Sequence, residues 1–288
     1  MKKLIKTNIS IICAICLMFC TMGGFASAEV TTDDANEAVY STVPIYLNGI
    51  KMTDGLFVNE TTYIPLRAYF KAIGNQADIA WNEETNTATI TDKGLVLAVT
   101  VGNHYLTVND RNLYLANGAL VIDGTIYLPI RELAKLYSAS VEWDAESSSV
   151  SLCSDNTIVI DSATNYYNEQ DLYWLSRLIN AESGNQPLEG KIAVGDVVLN
   201  RVANPTCPDS IYGVIFDSKY GVQFSVTQNG GIYEEPNEES VIAAKICLEG
   251  YNLVGDSIYF VNPEVGVSSW FAKTRVFVAT IGQHDFYA

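Results

Sequence analysis

The chain has 288 residues, 48% of them apolar, with 17 Lys+Arg against 33 Asp+Glu and a net charge of −16. Such an acidic surface argues against phosphate-rich nucleic acid as a partner, and the length suffices for two domains with separate cores. Two histidines, His104 and His284, and cysteines without metal-like spacing argue against a zinc or copper centre, so no metal and no cofactor is expected.

The first 28 residues read as an export signal. Lys2, Lys3 and Lys6 form a basic start, an apolar run extends from Ile9 to Phe19, and Ala26-Ser27-Ala28 supplies a small-residue cleavage site. The run is too short to span a bilayer, and Phe19 before Cys20 is a poor lipobox residue. Cleavage after Ala28 leaves 14 basic against 33 acidic residues, a net charge of −19, and no other apolar stretch long enough to cross a membrane. Cys153, Cys207 and Cys247 remain, as buried free thiols or with Cys207–Cys247 as the in-domain disulfide.

Residues 43–152 contain two related units. The first reads Tyr63-Ile64-Pro65-Leu66-Arg67, Trp81-Asn82-Glu83-Glu84 and Ala88-Thr89-Ile90; the second reads Tyr127-Leu128-Pro129-Ile130-Arg131, Trp143-Asp144-Ala145-Glu146 and Val150-Ser151-Leu152. The two prolines are 64 residues apart, and the second unit is two residues shorter between Pro and Trp. Each unit predicts a hairpin-like strand, a short helix opened by Pro (Leu66 to Ile73; Ile130 to Tyr137) and an alternating strand after a Trp-led turn. Leu47-Asn48-Gly49-Ile50 predicts a tight turn between strands. Arg67 and Arg131 are expected to be structural, each fixing a loop or a carboxylate. The unit pair is assigned residues 42–160 and a linker 161–168.

The remainder, 169–288, opens with an amphipathic helix. Asn168 is placed to cap it, with Asp171 three residues on, and Leu172, Leu175, Leu178 and Ile179 recur at helical spacing. Glu182 falls on that same apolar stripe, shortly before the helix stop at Gly184. One reading has Glu182 reaching round to solvent. The other has a carboxyl group in an apolar pocket, its pKa raised by desolvation and its proton held for a leaving group. A second helix is predicted from Pro187 to about Val202, apolar on nearly every side and therefore central. Shorter helices are predicted at Ile211 to Phe216 and Glu238 to Leu248, a loop at Gly221 to Ser225, and strands at Ser257 to Val261 and Arg275 to Ile281.

The paired Tyr-(Ile/Leu)-Pro-(Leu/Ile)-Arg and Trp-(Asn/Asp) elements resemble the copper amine oxidase N-terminal-like domain, a stalk module of exported bacterial proteins. His104 alone, with no cysteine before Cys153, cannot build a copper site there. Residues 169–288 resemble the cell-wall hydrolase family that includes spore cortex-lytic enzymes. The resemblance rests on Leu178-Ile179-Asn180-Ala181-Glu182, Glu189-Gly190, Ala193-Val194, Val198-Leu199-Asn200-Arg201, Gln223-Phe224-Ser225, Tyr259-Phe260, Asn262-Pro263, Trp270 and Ile281-Gly282 with His284, Phe286 and Tyr287. Glu182-Ser183 is also similar to the Glu-Ser signature of lytic transglycosylases with a goose-lysozyme-like fold. Asn185-Gln186-Pro187 departs from the family's frequent Gly-Glu-Pro, which bears on substrate range or rate; a helix-start role is expected for this position.

The resemblance implies an α+β protein: a two-unit strand/helix stalk, then a mainly α, lysozyme-like catalytic domain with a small β region. It implies an exported enzyme of the Gram-positive cell wall or spore cortex, cutting peptidoglycan between MurNAc and GlcNAc with Glu182 as general acid/base. A lytic transglycosylase needs one such carboxyl group, because the C6 hydroxyl of the muramic acid can be the nucleophile. A muramidase using water needs a second, for which Glu189 and Asp196 are the sequence candidates. A non-catalytic wall-binding protein is the other alternative. Gln223 and Asn262 are expected to hydrogen-bond sugar substituents, and Phe224, Tyr259 and Trp270 to face sugar rings. His284 is expected in the core, and a thiol nucleophile at Cys207 or Cys247 is disfavoured by its setting. Peptidoglycan is the expected partner; an inhibitory or anchoring protein partner is left unassigned.

Overall fold

The computed structural model describes residues 40–73, 77–265 and 273–288. Residues 1–28, read above as an export signal, and Trp270 lie outside the described residues. The first half is built from strands. β1 (Ser41–Leu47), β2 (Ile50–Val58), β3 (Thr61–Pro65), β9 (Leu120–Ile122), β10 (Thr125–Pro129), β11 (Tyr137–Asp144) and β12 (Ser149–Ile158) form a seven-stranded sheet in the order β11-β12-β1-β2-β3-β10-β9. β4 (Asp78–Asn82), β5 (Thr87–Asp92), β6 (Leu95–Thr100), β7 (Tyr105–Val108) and β8 (Arg111–Tyr114) form a second sheet in sequence order. The predicted turn at Asn48-Gly49 joins β1 to β2, with both residues at positive φ.

The repeat is visible in the pairing. β3 and β10 run antiparallel with Tyr63 opposite Pro129, Ile64 opposite Leu128 and Pro65 opposite Tyr127. Equivalent residues thus exchange places across a local two-fold axis through Ile64 and Leu128, the self-complementary register of an isologous contact. Helices α1 (Leu66–Ile73) and α2 (Ile130–Ala134) follow the two strands. The Tyr69 hydroxyl donates to the Leu133 carbonyl at 2.8 Å, again joining positions 64 residues apart. The second helix is shorter than predicted because buried Tyr137, bonded through its hydroxyl to buried Asp92 at 2.8 Å, already belongs to β11.

Helices dominate the second half: α3 (Ala163–Tyr166), α4 (Glu169–Ser183), α5 (Leu188–Ala203), α6 (Ile211–Ile215), α7 (Val226–Asn229) and α8 (Glu238–Leu248). A 3-10 turn spans Gly231–Tyr233, and β13 (Tyr259–Val261), β14 (Phe277–Ile281) and β15 (His284–Tyr287) make a small antiparallel sheet in the order β13-β15-β14. No described helix is long and apolar enough to cross a membrane. α5 is buried around most of its circumference, as its apolar sequence predicts. Gly195 permits this, since a Cβ there would lie 2.6 Å from the Cys247 sulfur on α8 and 2.9 Å from the Ile179 side chain on α4.

The halves are joined by more than chain continuity. Arg111 on β8 makes a two-pronged contact with Glu249 after α8, at 2.8 Å and 2.6 Å, with both side chains buried. The Tyr167 hydroxyl donates to the same carboxylate. Tyr114, in the same strand as Arg111, packs into the helical core, and Lys245 donates to the Asp110 carbonyl at 2.8 Å. Residues 161–168 contain α3 and pack into this junction, with Ala163 donating to the Asn109 carbonyl at 2.9 Å. The three cysteines in the described residues are free, so Cys207 and Cys247 form no disulfide.

Candidate active site

α4 begins as its sequence predicts: the Asn168 side chain accepts from the Gln170 and Asp171 amides at 2.9 and 3.1 Å, satisfying two of the helix's unpaired donors. Leu175, Leu178 and Ile179 are fully buried. Glu182 sits in the last turn, on the edge of this stripe, and is half-buried. Burial alone pushes its carboxyl group above the ordinary carboxylate range, because desolvation disfavours the anion. No described residue offers it a hydrogen bond or ion pair that would offset this. Ser183 has a structural role: its hydroxyl is fully buried and donates back to the Ile179 carbonyl at 2.8 Å.

The chain around Glu182 is fixed from two directions. The Asn180 side chain accepts from the Asn237 amide at 3.0 Å, and the Asn237 side chain donates to the Gly184 carbonyl at 3.1 Å while capping α8. Gln186, buried, accepts from the Gln283 amide at 2.9 Å in the β14–β15 turn. Gly282 in that turn has φ +60°, and a Cβ there would lie 2.4 Å from the same Gln186 oxygen. Gln186 therefore ties the end of the chain to the start of α5 by an acceptor oxygen, which accounts for its place at the helix start in terms of anchoring. Lys191, also buried, donates to the Gln186 carbonyl at 2.8 Å and pairs with Glu239.

The other expected contact residues are distributed unevenly. Gln223 is exposed, its amide donating to the Gly221 carbonyl at 3.0 Å. Phe224 is 2% exposed and belongs to the helical core, beneath Arg201 and 6.4 Å from the Phe260 ring. Its faces are taken up by protein, a correction to its assignment as a ring open to sugar. Tyr259 is half-buried, with the Arg275 guanidinium 4.8 Å and that of Arg201 5.7 Å from its ring centre, within cation–π range. Asn262 is half-buried and accepts from the Glu264 amide at 2.9 Å. His284 is buried beside Phe260 at 5.2 Å, its pKa lowered by desolvation and its Nδ1 without a partner among the described residues.

Neither rival carboxylate is free. Glu189 accepts from the Tyr114 hydroxyl at 3.3 Å and lies 2.9 Å from His104 Nδ1, both from the strand-rich half. Asp196 is buried and accepts from the Leu253 amide at 2.7 Å, its pKa pushed up to about 7 chiefly by desolvation. Both serve packing between segments.

Two features escaped the sequence reading. Asn200 and Arg201 close α5 and also hold the loop into β13: Asn200 donates to the Gly255 and Ser257 carbonyls at 2.7 and 2.8 Å, and Arg201 to the Ile258 carbonyl at 2.7 Å. An aromatic group also gathers on α4, α6 and the 3-10 turn, where Trp174 meets Phe216, Tyr212 and Tyr233 at 5.2, 5.4 and 6.2 Å. The adjacent Tyr173-Trp174 pair was its only sequence signal.

A half-buried glutamate with a raised pKa at a helix end, its chain held by buried Gln186 and by Asn180 and Asn237, defines a candidate acid/base site. Residues 185–287 match the Cell Wall Hydrolase family, and residues 46–152 and 115–175 the Copper amine oxidase N-terminal domain. The C-terminal part of the chain is thus similar to the cell wall hydrolase family, and the part before it to the copper amine oxidase N-terminal domain. The hydrolase match begins three residues beyond Glu182.

Among particular relatives, the chain is similar to the spore cortex-lytic enzyme of Bacillus cereus, 33% identical over 122 residues, which is 42% of this chain and 46% of that protein. It is also 33% identical over 135 residues to the spore cortex-lytic enzyme of Halalkalibacterium halodurans, covering 46% of this chain and 40% of the relative. The chain thus spans less than half the length of these curated relatives. Among solved structures, the catalytic domain of the germination-specific lytic transglycosylase SleB from Bacillus anthracis is 32% identical, covering 43% of this chain and 98% of that chain, with a TM-score of 0.39.

Proposed function

We propose that the protein is an exported peptidoglycan-cleaving enzyme of the Gram-positive cell wall or spore cortex, acting as a lytic transglycosylase on the MurNAc-GlcNAc bond. The single observation that carries this reading is Glu182: one desolvated carboxyl group at the end of α4, with no partner among the described residues and a raised pKa. In its acid form it protonates the leaving glycosidic oxygen; as the resulting anion it accepts the proton of the muramic acid C6 hydroxyl, closing a 1,6-anhydro ring. This cycle returns the proton and consumes no water.

The alternative, a muramidase, places a second carboxylate across the sugar to activate water. Glu189 and Asp196 are both engaged elsewhere, which favours the one-carboxyl route. Gln223, Tyr259, Asn262 and Trp270 are assigned to substrate contact, Gln223 because it is exposed and Tyr259 because two guanidinium groups orient its ring. Clearing of suspended cortex and vegetative sacculi tests the proposal. Wild-type protein lowers the turbidity of at least one, while Glu182→Gln leaves both unchanged yet still sediments with them. Clearing by Glu182→Gln at the wild-type rate refutes it.

A further inference from the structure

Two cavities of about 690 and 900 Å³ open on the strand-rich half, the first walled on one side by Tyr251, Asn252 and Leu253 of the helical half, and the catalytic proposal uses neither. Much of their strand-half lining corresponds under the repeat, whereas Tyr251, Asn252 and Leu253 of the first cavity have no counterpart in the second. The first is lined by Arg131 and Trp143 of the second unit against Phe57 and Thr61 of the first. The second is lined by Arg67 and Trp81 of the first unit against Val121 and Thr125 of the second. Arg67 and Arg131 follow the two repeated prolines, and Phe57 and Val121 stand 64 residues apart, the same interval as those prolines. Each groove therefore takes its Arg and Trp from one unit and its opposite wall from the other, as the two-fold pairing of β3 with β10 requires.

The tryptophan and arginine side chains of these grooves are largely outside the core. Trp81 and Trp143 are 48% and 51% exposed, although large aromatics are ordinarily drawn into the core. Phe57 stacks on Trp143 with ring centres 6.4 Å apart, extending the apolar surface. Arg67 is exposed and has no partner among the described residues, and Arg131 makes only a 3.5 Å contact with the Val141 carbonyl. The expected structural role for this arginine pair is thus not what is observed. In a chain with 33 acids and 17 basic residues, two equivalent arginines with no acidic partner among the described residues, beside two exposed indoles, fit an anionic ligand with a flat apolar face.

We propose that the two grooves are paired binding sites for peptidoglycan muropeptides, the Trp indole taking the face of an N-acetylated sugar and the Arg guanidinium a carboxylate of the attached peptide. The choice of peptidoglycan rests on the proposed function of the catalytic half. The Arg67 groove also holds Lys71, and its Asp54 is paired with Lys51. The Arg131 groove holds Glu60 and Glu142. The Arg67 groove is therefore the stronger carboxylate site. Two linked sites of modest affinity raise retention on a polymer through effective concentration, which keeps the enzyme on an insoluble wall between cuts.

Calorimetric titration of full-length, signal-cleaved Glu182→Gln protein with a soluble disaccharide-tetrapeptide tests this. Trp81→Ala and Trp143→Ala each remove one bound equivalent, the double substitution removes two, and Arg67→Ala weakens binding about tenfold, more than Arg131→Ala does. All four residues are exposed, and an unchanged melting temperature certifies each variant. A bound count unaffected by both Trp substitutions overturns the proposal. Arg67-dependent binding of a glycerol phosphate polymer with none of the muropeptide overturns it equally, by making the ligand a phosphate chain. Trp-dependent muropeptide binding in a chain whose unsubstituted form clears no sacculi sinks the enzymatic reading and leaves the grooves standing.

Discussion

Replacing Arg111 by Met removes one partner of the buried contact between the two halves while keeping an unbranched apolar stem in place. Glu249 then loses hydrogen bonds of 2.8 and 2.6 Å and keeps only the Tyr167 hydroxyl. Its side chain is 4% exposed, so water cannot replace the lost guanidinium. Uncompensated burial of one charge costs about 3–5 kcal/mol. Arg111 also gives up its stacking on Tyr166, where its guanidinium carbon lies 3.4 Å from the ring centre. For domains of this size the loss corresponds to a fall of roughly 6–20 °C in melting temperature. Scanning calorimetry reads it directly. Adding Glu249→Gln removes the stranded charge and recovers part of the loss, because a neutral amide still accepts from Tyr167. A fall below about 1 kcal/mol in the single variant, or no recovery in the double, refutes the view that a desolvated ion pair fastens the halves.

Three further outcomes follow from the same geometry. Asp196 moves from an ordinary 3.8 to about 7, so the folded state holds a proton the unfolded state releases, and stability falls as pH rises from about 4 to about 7. At about 1.4 kcal/mol per pH unit the loss is on the order of 4 kcal/mol; urea denaturation of Asp196→Asn should show a flatter pH profile and higher stability at pH 8, and an unchanged slope contradicts this. Gly282→Ala forces a Cβ into a φ of +60° and within 2.4 Å of Gln186; a loss of about 2 kcal/mol and faster amide exchange in β14 and β15 are expected, and wild-type exchange rates would contradict the clamp. Because burial raises the Glu182 pKa, cleavage by the acid form persists above the ordinary 4.5 and declines on the alkaline side as that proton is lost. A pH–rate profile whose alkaline limb lies at or below 4.5 opposes the assignment.

Much of the fold was legible because it is local. The capped start of α4, the bounds of α1 and α8, the central burial of α5 and the two-unit repeat all follow from periodicity and punctuation within short windows. What escaped depends on distant partners. Arg111 and Glu249 are separated by 138 positions, and no spacing rule connects them. Phe224 reads equally well as a cleft ring or a core ring, and only the packing of Phe260 and Arg201 around it decides for the core. The repeated arginines look structural in isolation; their exposure beside Trp81 and Trp143 emerges only when each unit supplies the wall of the other's groove. Gln186, read from sequence as a departure at a helix start, is explained by a contact with a turn 97 residues away.

The most direct test of the account is mass spectrometry of the soluble fragments released from purified cortex and vegetative peptidoglycan. It predicts 1,6-anhydromuramic ends from the wild-type protein and none from Glu182→Gln. Reducing muramic ends would contradict the one-carboxyl mechanism and require a water-activating partner. Anhydromuramic ends released undiminished by Glu182→Gln would remove Glu182 from the chemistry altogether.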